Sequence, residues 1–155
     1  MNINIKIADF GISCIKEHMN IHIQTLEYRA YEVVLKCNKY NEKIDIWSVA
    51  CLMYELFNGS YLFDVRCTKN KQYSHEKYHL ILINELLGEK IMSNVHMYDN
   101  IEIADFEIKK YRGLNSIMKE KYYNNNLFIL FTNMLCPNIN ERLSAMECLQ
   151  SIWFI

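Results

Sequence analysis

Asp45-Ile-Trp-Ser-Val-Ala-Cys-Leu-Met-Tyr-Glu-Leu-Phe-Asn-Gly59 is the stretch on which the fold turns. From Ile44 to Phe57 the apolar residues are Ile44, Ile46, Trp47, Val49, Ala50, Leu52, Met53, Leu56 and Phe57, spread over nearly every side of a helical wheel. A helix apolar all round is a buried helix. The run is too short to cross a membrane and is broken by Asp45 and Glu55. Asn41 is placed to cap its start, with Glu42 in the first turn. Gly59 is placed to end it in the left-handed conformation. The pattern predicts a buried helix over 42–58. Asp45 reads as its single buried charge, and an isolated buried carboxylate costs several kcal/mol unless it is partnered.

The 155 residues suit one domain or a piece of a larger one. Hydrophobic residues make up 51%, a share that implies surface meant to be covered. With 17 basic and 18 acidic residues the net charge is −1, so there is no bulk electrostatic case for direct nucleic-acid or membrane binding. The 6 cysteines include no Cys-x-x-Cys pair, which points to reduced thiols and a cytoplasmic or nuclear protein. No signal peptide is evident in MNINIKIADFG.

In chain order, the alternation of Ile3, Ile5 and Ile7 predicts a short strand over 3–8, ending at Asp9-Phe10-Gly11. Residues 12–31 have no clear period and read as a long loop, of a length that is usually functional. After the 42–58 helix, Ser74 can cap a helix over 75–87 with Gly88 as terminator. Further helices fit 114–123 and 127–135, the latter stopped by Pro137. Ser144-x-x-Glu147 is a capping box that opens the last helix. Residues 60–73 and 89–112 read as mostly irregular.

In this order the residues resemble the C-terminal, large lobe of a protein-kinase catalytic domain. Ile-Ala-Asp9-Phe10-Gly11 resembles the Asp-Phe-Gly motif. Thr25-Leu-Glu-Tyr28-Arg29-Ala30-Tyr31-Glu32 resembles the end of the activation segment, with Tyr31 in place of the proline of Ala-Pro-Glu. Asp45-Ile-Trp47-Ser48 resembles the start of the central helix. Arg142-Leu-Ser-Ala-x-Glu-Cys-Leu, followed by Trp153-Phe154, resembles the close of the domain. Gly59-Ser-Tyr61-Leu62-Phe63, His79-Leu-x-x-Ile83-x-Glu85-Leu86-Leu87-Gly88 and Met118-x-Glu120-Lys121-Tyr122 are similar to the SR-protein kinases.

The resemblance implies a mainly α chain, a kinase-like large-lobe fragment over residues 1–155 with one or two short N-terminal strands. It implies serine/threonine phosphoryl transfer with ATP and Mg²⁺, onto protein substrates that include Arg/Ser-rich splicing factors. Asp9 would bind Mg²⁺ on the ATP phosphates, Gly11 would let the segment pivot, and Phe10 would pack on the small lobe. Thr25, Tyr28 and Arg29 would shape the pocket for the residue after the phosphoacceptor. Glu32 and Arg142 would form a buried ion pair. Trp47 would serve the core, and Asp45 would hydrogen-bond the backbone of the catalytic loop. Glu85 and Lys121 fall on positions of the groove that docks arginine-rich substrates, while Ser60 and Tyr78 stand where the family has aspartates.

His75-Glu76-Lys77-Tyr78-His79 also spells HExxH, the zinc-peptidase signature. A third ligand at a recognisable spacing is missing, so no zinc is expected. His18 and His22 fall in the 12–31 loop and read as solvent-facing. A Gly-rich loop, the small-lobe lysine and an HRD-type catalytic loop all precede Asp-Phe-Gly in the family and do not occur in these residues. The chain is therefore expected to be a fragment of a longer kinase, inactive alone. A non-catalytic binding module and a decayed gene product are the alternatives.

Overall fold

The computed structural model describes residues 4–13, 23–37, 40–67, 73–92, 111–118 and 124–155. Among them no strand forms. Residues 4–8 form no regular element, with Ile5 91% and Ile7 85% exposed, which corrects the expected strand. A period-two pattern makes a strand only where a neighbouring strand supplies the ladder, and no described residue does so. The part of the 12–31 loop that is described is more ordered than its sequence implies. It holds a 3₁₀ turn, Leu26–Tyr28, and leads into a short helix α1, Tyr31–Val34, every residue of which is buried. His18 and His22 lie outside the described residues.

Helix α2, Lys43–Asn58, matches the expected central helix. The N-cap position falls on Glu42, one residue later than expected and without a side-chain cap bond, while the Asn41 side chain accepts from the Lys43 N–H at 3.0 Å just before it. Gly59 ends the helix at φ +71°, its N–H donating to the Glu55 carbonyl. That backbone region costs glycine nothing and strains any residue with a Cβ. Ile44, Trp47, Ala50 and Cys51 face the core. The helix is not buried all round: Val49, Leu52 and Leu56 are 44%, 46% and 76% exposed. Asp45 shares that open face and is exposed too, contrary to the expected buried charge.

Helix α3 runs His75–Met92, longer than predicted. Ser74 caps it, accepting from the Lys77 N–H at 3.1 Å. Gly88 does not terminate it, because its backbone stays out of the left-handed region and the helix passes through. Of the helix expected over 114–123, the described residues form a 3₁₀ turn at Leu114–Ser116, and residues 119–123 lie outside the described set. Helix α4, Asn125–Met134, is capped by the Asn124 side chain and buries Leu127, Leu130, Phe131 and Met134. Helix α5, Ala145–Leu149, opens with the predicted Ser144–Glu147 capping box.

These elements meet around Trp47, which is fully buried. Its ring stacks on Phe63 at 6.0 Å between centroids, and the Arg142 guanidinium lies 5.1 Å from its centroid. Helix α2 packs against the Leu26–Tyr28 turn and α4, while α3 packs against α1. The result fastens residues 23–34 across the start of α2. No helix among the described residues is long and apolar enough to cross a membrane.

Candidate functional site

Asp9 sits in the left-handed region, at φ +63°. Its Oδ1 accepts from the Gly11 N–H at 3.3 Å, a short-range turn that points the carboxylate back over the chain. A Cβ at Gly11 would stand only 3.3 Å from that oxygen, so glycine keeps the turn tight. Asp9 lines an open cavity of about 440 Å³ together with Ile12, Gln24, Asn41, Glu42 and Asp45. The cavity wall partly desolvates Asp45 and raises its carboxyl pKa above the usual range. Phe10 is 68% exposed.

The opposite wall is built by Gln24, a residue that the sequence reading passed over. At φ +61° its amide donates to the Ile44 carbonyl at 2.9 Å and to Ser48 Oγ at 2.7 Å. Its Oε1 accepts from the Ala30 N–H at 3.0 Å. Ser48 in turn donates to the Tyr28 carbonyl at 2.9 Å. The only signal in the sequence was its place directly before Thr25. Arg29 donates to the carbonyls of Ile23 and Gln24 at 3.0 and 3.1 Å and pairs loosely with Glu76 at 3.5 Å. Thr25 itself is exposed.

Tyr28 donates its hydroxyl to Glu55 at 2.6 Å, which with burial pushes the phenol pKa well up. Its ring meets Tyr61 edge-on at 5.9 Å, and the Arg66 guanidinium lies 4.4 Å from the Tyr61 ring centroid. Glu32 and Arg142 come together at zero exposure, with paired contacts of 2.6 and 2.7 Å. Arg142 also donates to the carbonyls of Cys136 and Lys43. This is the bidentate geometry that makes an Arg–carboxylate pair strong and directional.

Glu85, on α3, lies away from the cavity among half-covered groups and contacts Arg112 at 3.4 Å. Lys121 lies outside the described residues. The HExxH residues are otherwise engaged. His79 is fully buried against Phe63, 5.2 Å between rings, and Glu76 is shared by Arg29 and Lys36. Among the described residues no cluster of His, Cys, Asp and Glu could hold a metal ion by itself.

The protein kinase domain description matches residues 1–154. The chain belongs to the protein kinase family. It is 34% identical over 155 residues to protein kinase dsk1 of Schizosaccharomyces pombe, covering 94% of this chain and 27% of that protein. It is 34% identical over 165 residues to human SRSF protein kinase 3, covering 97% of this chain and 29% of the relative. Over 88 residues it is 44% identical to serine/threonine-protein kinase spk-1 of Caenorhabditis elegans. Its likeness is thus to SR-protein kinases. The chain spans less than a third of the length of these relatives.

Proposed function

We propose that this chain is large-lobe material of a serine/threonine kinase of SR-protein-kinase type. That kinase would transfer the ATP γ-phosphoryl group to Ser/Thr of proteins, Arg/Ser-rich splicing factors among them, in the cytoplasm or nucleus. The observation that supports this best is the clamp of residues 24–32 onto α2 and Arg142, which holds a polar ledge beside the Asp9 cavity. Phosphoryl transfer is largely positioning plus electrostatic stabilisation, and a fixed ledge next to a carboxylate is what positioning requires.

Asp9 would hold Mg²⁺, which when bound neutralises phosphate charge. The fit is reasonable on this chain's chemistry: Mg²⁺ takes one or two carboxylates plus substrate phosphates, and Asp9 is exposed at an open cavity. Phe10 and Gly11 would set the pivot beside it. Thr25, Tyr28 and Arg29 would contact the residue after the phosphoacceptor, with Gln24 fixing their backbone. Asp45 would anchor a neighbouring backbone segment, and Glu85 with Lys121 would meet substrate arginines. Alone, the chain would bind Mg-ATP weakly and transfer no phosphate.

Manganese tests Asp9 directly. Mn²⁺-ATP titrated into the labelled chain should broaden the Phe10 and Gly11 amide signals, and Asp9→Asn should abolish the effect. Unaltered signals in the parent chain would remove Asp9 from the metal site. Phosphate transfer by the pure chain onto an Arg–Ser peptide, lost in Asp9→Asn, would overturn its inactivity while upholding the kinase reading.

A further inference from the structure

The region around Glu85 contains a charge of this chain that the docking reading does not use. Arg112 donates its backbone N–H to the Glu85 carbonyl at 2.8 Å, which ties its segment to α3. Its Nη2 then lies 3.4 Å from Glu85 Oε2. The same positive charge reaches Tyr54, whose phenol pKa is raised by burial while Ser60 and Arg112 oppose the rise. Ser60, Tyr54, Glu85 and Arg112 therefore share one neighbourhood. Ser60 brings no carboxylate to it.

Resting on the docking role of Glu85, we propose that Arg112 is an in-chain occupant of that docking position, so that an arginine-rich substrate engages Glu85 by displacing it. The contact is built to yield. At 3.4 Å it is longer than a tight charge-assisted hydrogen bond, and the side chains of Arg112 and Glu85 are 47% and 32% exposed. Exposed pairs of this kind contribute little and are screened by salt. The backbone bond keeps the guanidinium at hand after displacement, so it competes with every substrate arginine at a fixed local concentration. A peptide carrying several arginines outcompetes it, whereas a single arginine does not.

Fluorescence anisotropy of an arginine–serine repeat peptide against the chain tests this with Arg112→Ala, Glu85→Ala and the double variant. Both side chains are partly exposed and neither substitution threatens the core. Arg112→Ala should tighten binding about threefold, the scale of an exposed pair. In the Glu85→Ala background the same change should bring no gain. An equal gain in both backgrounds makes Arg112 a general repelling charge and overturns the proposal. Weaker binding in Glu85→Ala with no gain from Arg112→Ala overturns it while leaving the docking reading standing. If Glu85→Ala binds as the parent does, or no variant binds, the docking reading itself fails.

Discussion

Helix α2 has two apolar faces with opposite fates. On one, Ile44, Trp47, Ala50 and Cys51 are buried by α4, Phe63 and Arg142. On the other, Asp45, Val49, Leu52 and Leu56 repeat at helical spacing and stay open among the described residues. Asp45 apart, the side chains of the two faces are of similar type, so composition does not separate them. What separates them is whether a partner lies among the described residues. The buried face owes its packing to residues far apart in sequence, such as Glu32 and Arg142, and the open face borders the cavity of Asp9 and Asp45.

The sharpest way to break this contrast is at the closed face. Arg142→Ala should cost about 3–5 kcal/mol, because Glu32 would be left charged and buried with no partner. Thermal melting should show a collapsed transition or an aggregating chain. An unchanged melting temperature would mean that the Glu32 pair does not hold the two ends of the chain together. Since Arg142 also lies over Trp47, a Lys replacement should rescue only part of the loss.

His79 gives a second, smaller effect on the same face. It is fully buried, neither ring nitrogen has a hydrogen-bond partner among the described residues, and burial with the Arg29 charge pushes its pKa down to about 3. The unfolded chain takes up this proton near the ordinary value of 6.5, the folded chain only near 3. Stability is therefore complete above that ordinary value and falls as the pH drops toward the folded one. Between about pH 6.5 and pH 4.5 the loss should be about 2–3 kcal/mol. Urea midpoints measured across this window should be flatter for His79→Leu than for the parent chain. Parallel curves would mean that His79 reaches water or a partner.

Gln24→Ala ranks next, at about 1–2 kcal/mol, because the fully buried Ala30 loses the acceptor for its N–H. The loss should appear in urea unfolding together with faster amide exchange at Ala30. An unchanged exchange rate would place the clamp elsewhere. Gln24 also marks where sequence reading ran out. The central helix, the Ser144 capping box and the existence of α4 were legible because caps and periodicity are local, although α4 starts two residues before the expected 127, at an Asn124 cap. So was the pairing of Glu32 with Arg142, through resemblance. Gln24, Arg112 and the openness of Asp45 were not, since each depends on what lies across space. The strand at Ile3 to Ile7 failed for the same reason: its pattern is local, but its pairing partner is not among the described residues.

The smallest expected effect lies on the open face, at Leu56. The side chain is 76% exposed, and Gln has nearly the helix propensity of Leu. Leu56→Gln should therefore shift stability by no more than about 0.5 kcal/mol, the scale of an ordinary surface change. A buried counterpart on α3, Leu86→Ala, should lose about 2–5 kcal/mol. Side-by-side urea titrations of the two variants measure the difference between the faces. A loss of about 2 kcal/mol at Leu56 would mean that the chain covers this face in solution, and the division of α2 into a closed and an open side would have to be withdrawn. A near-zero change would place the burial of Val49, Leu52 and Leu56 outside the energetics of the described residues, where the hydrophobic excess of the composition already points.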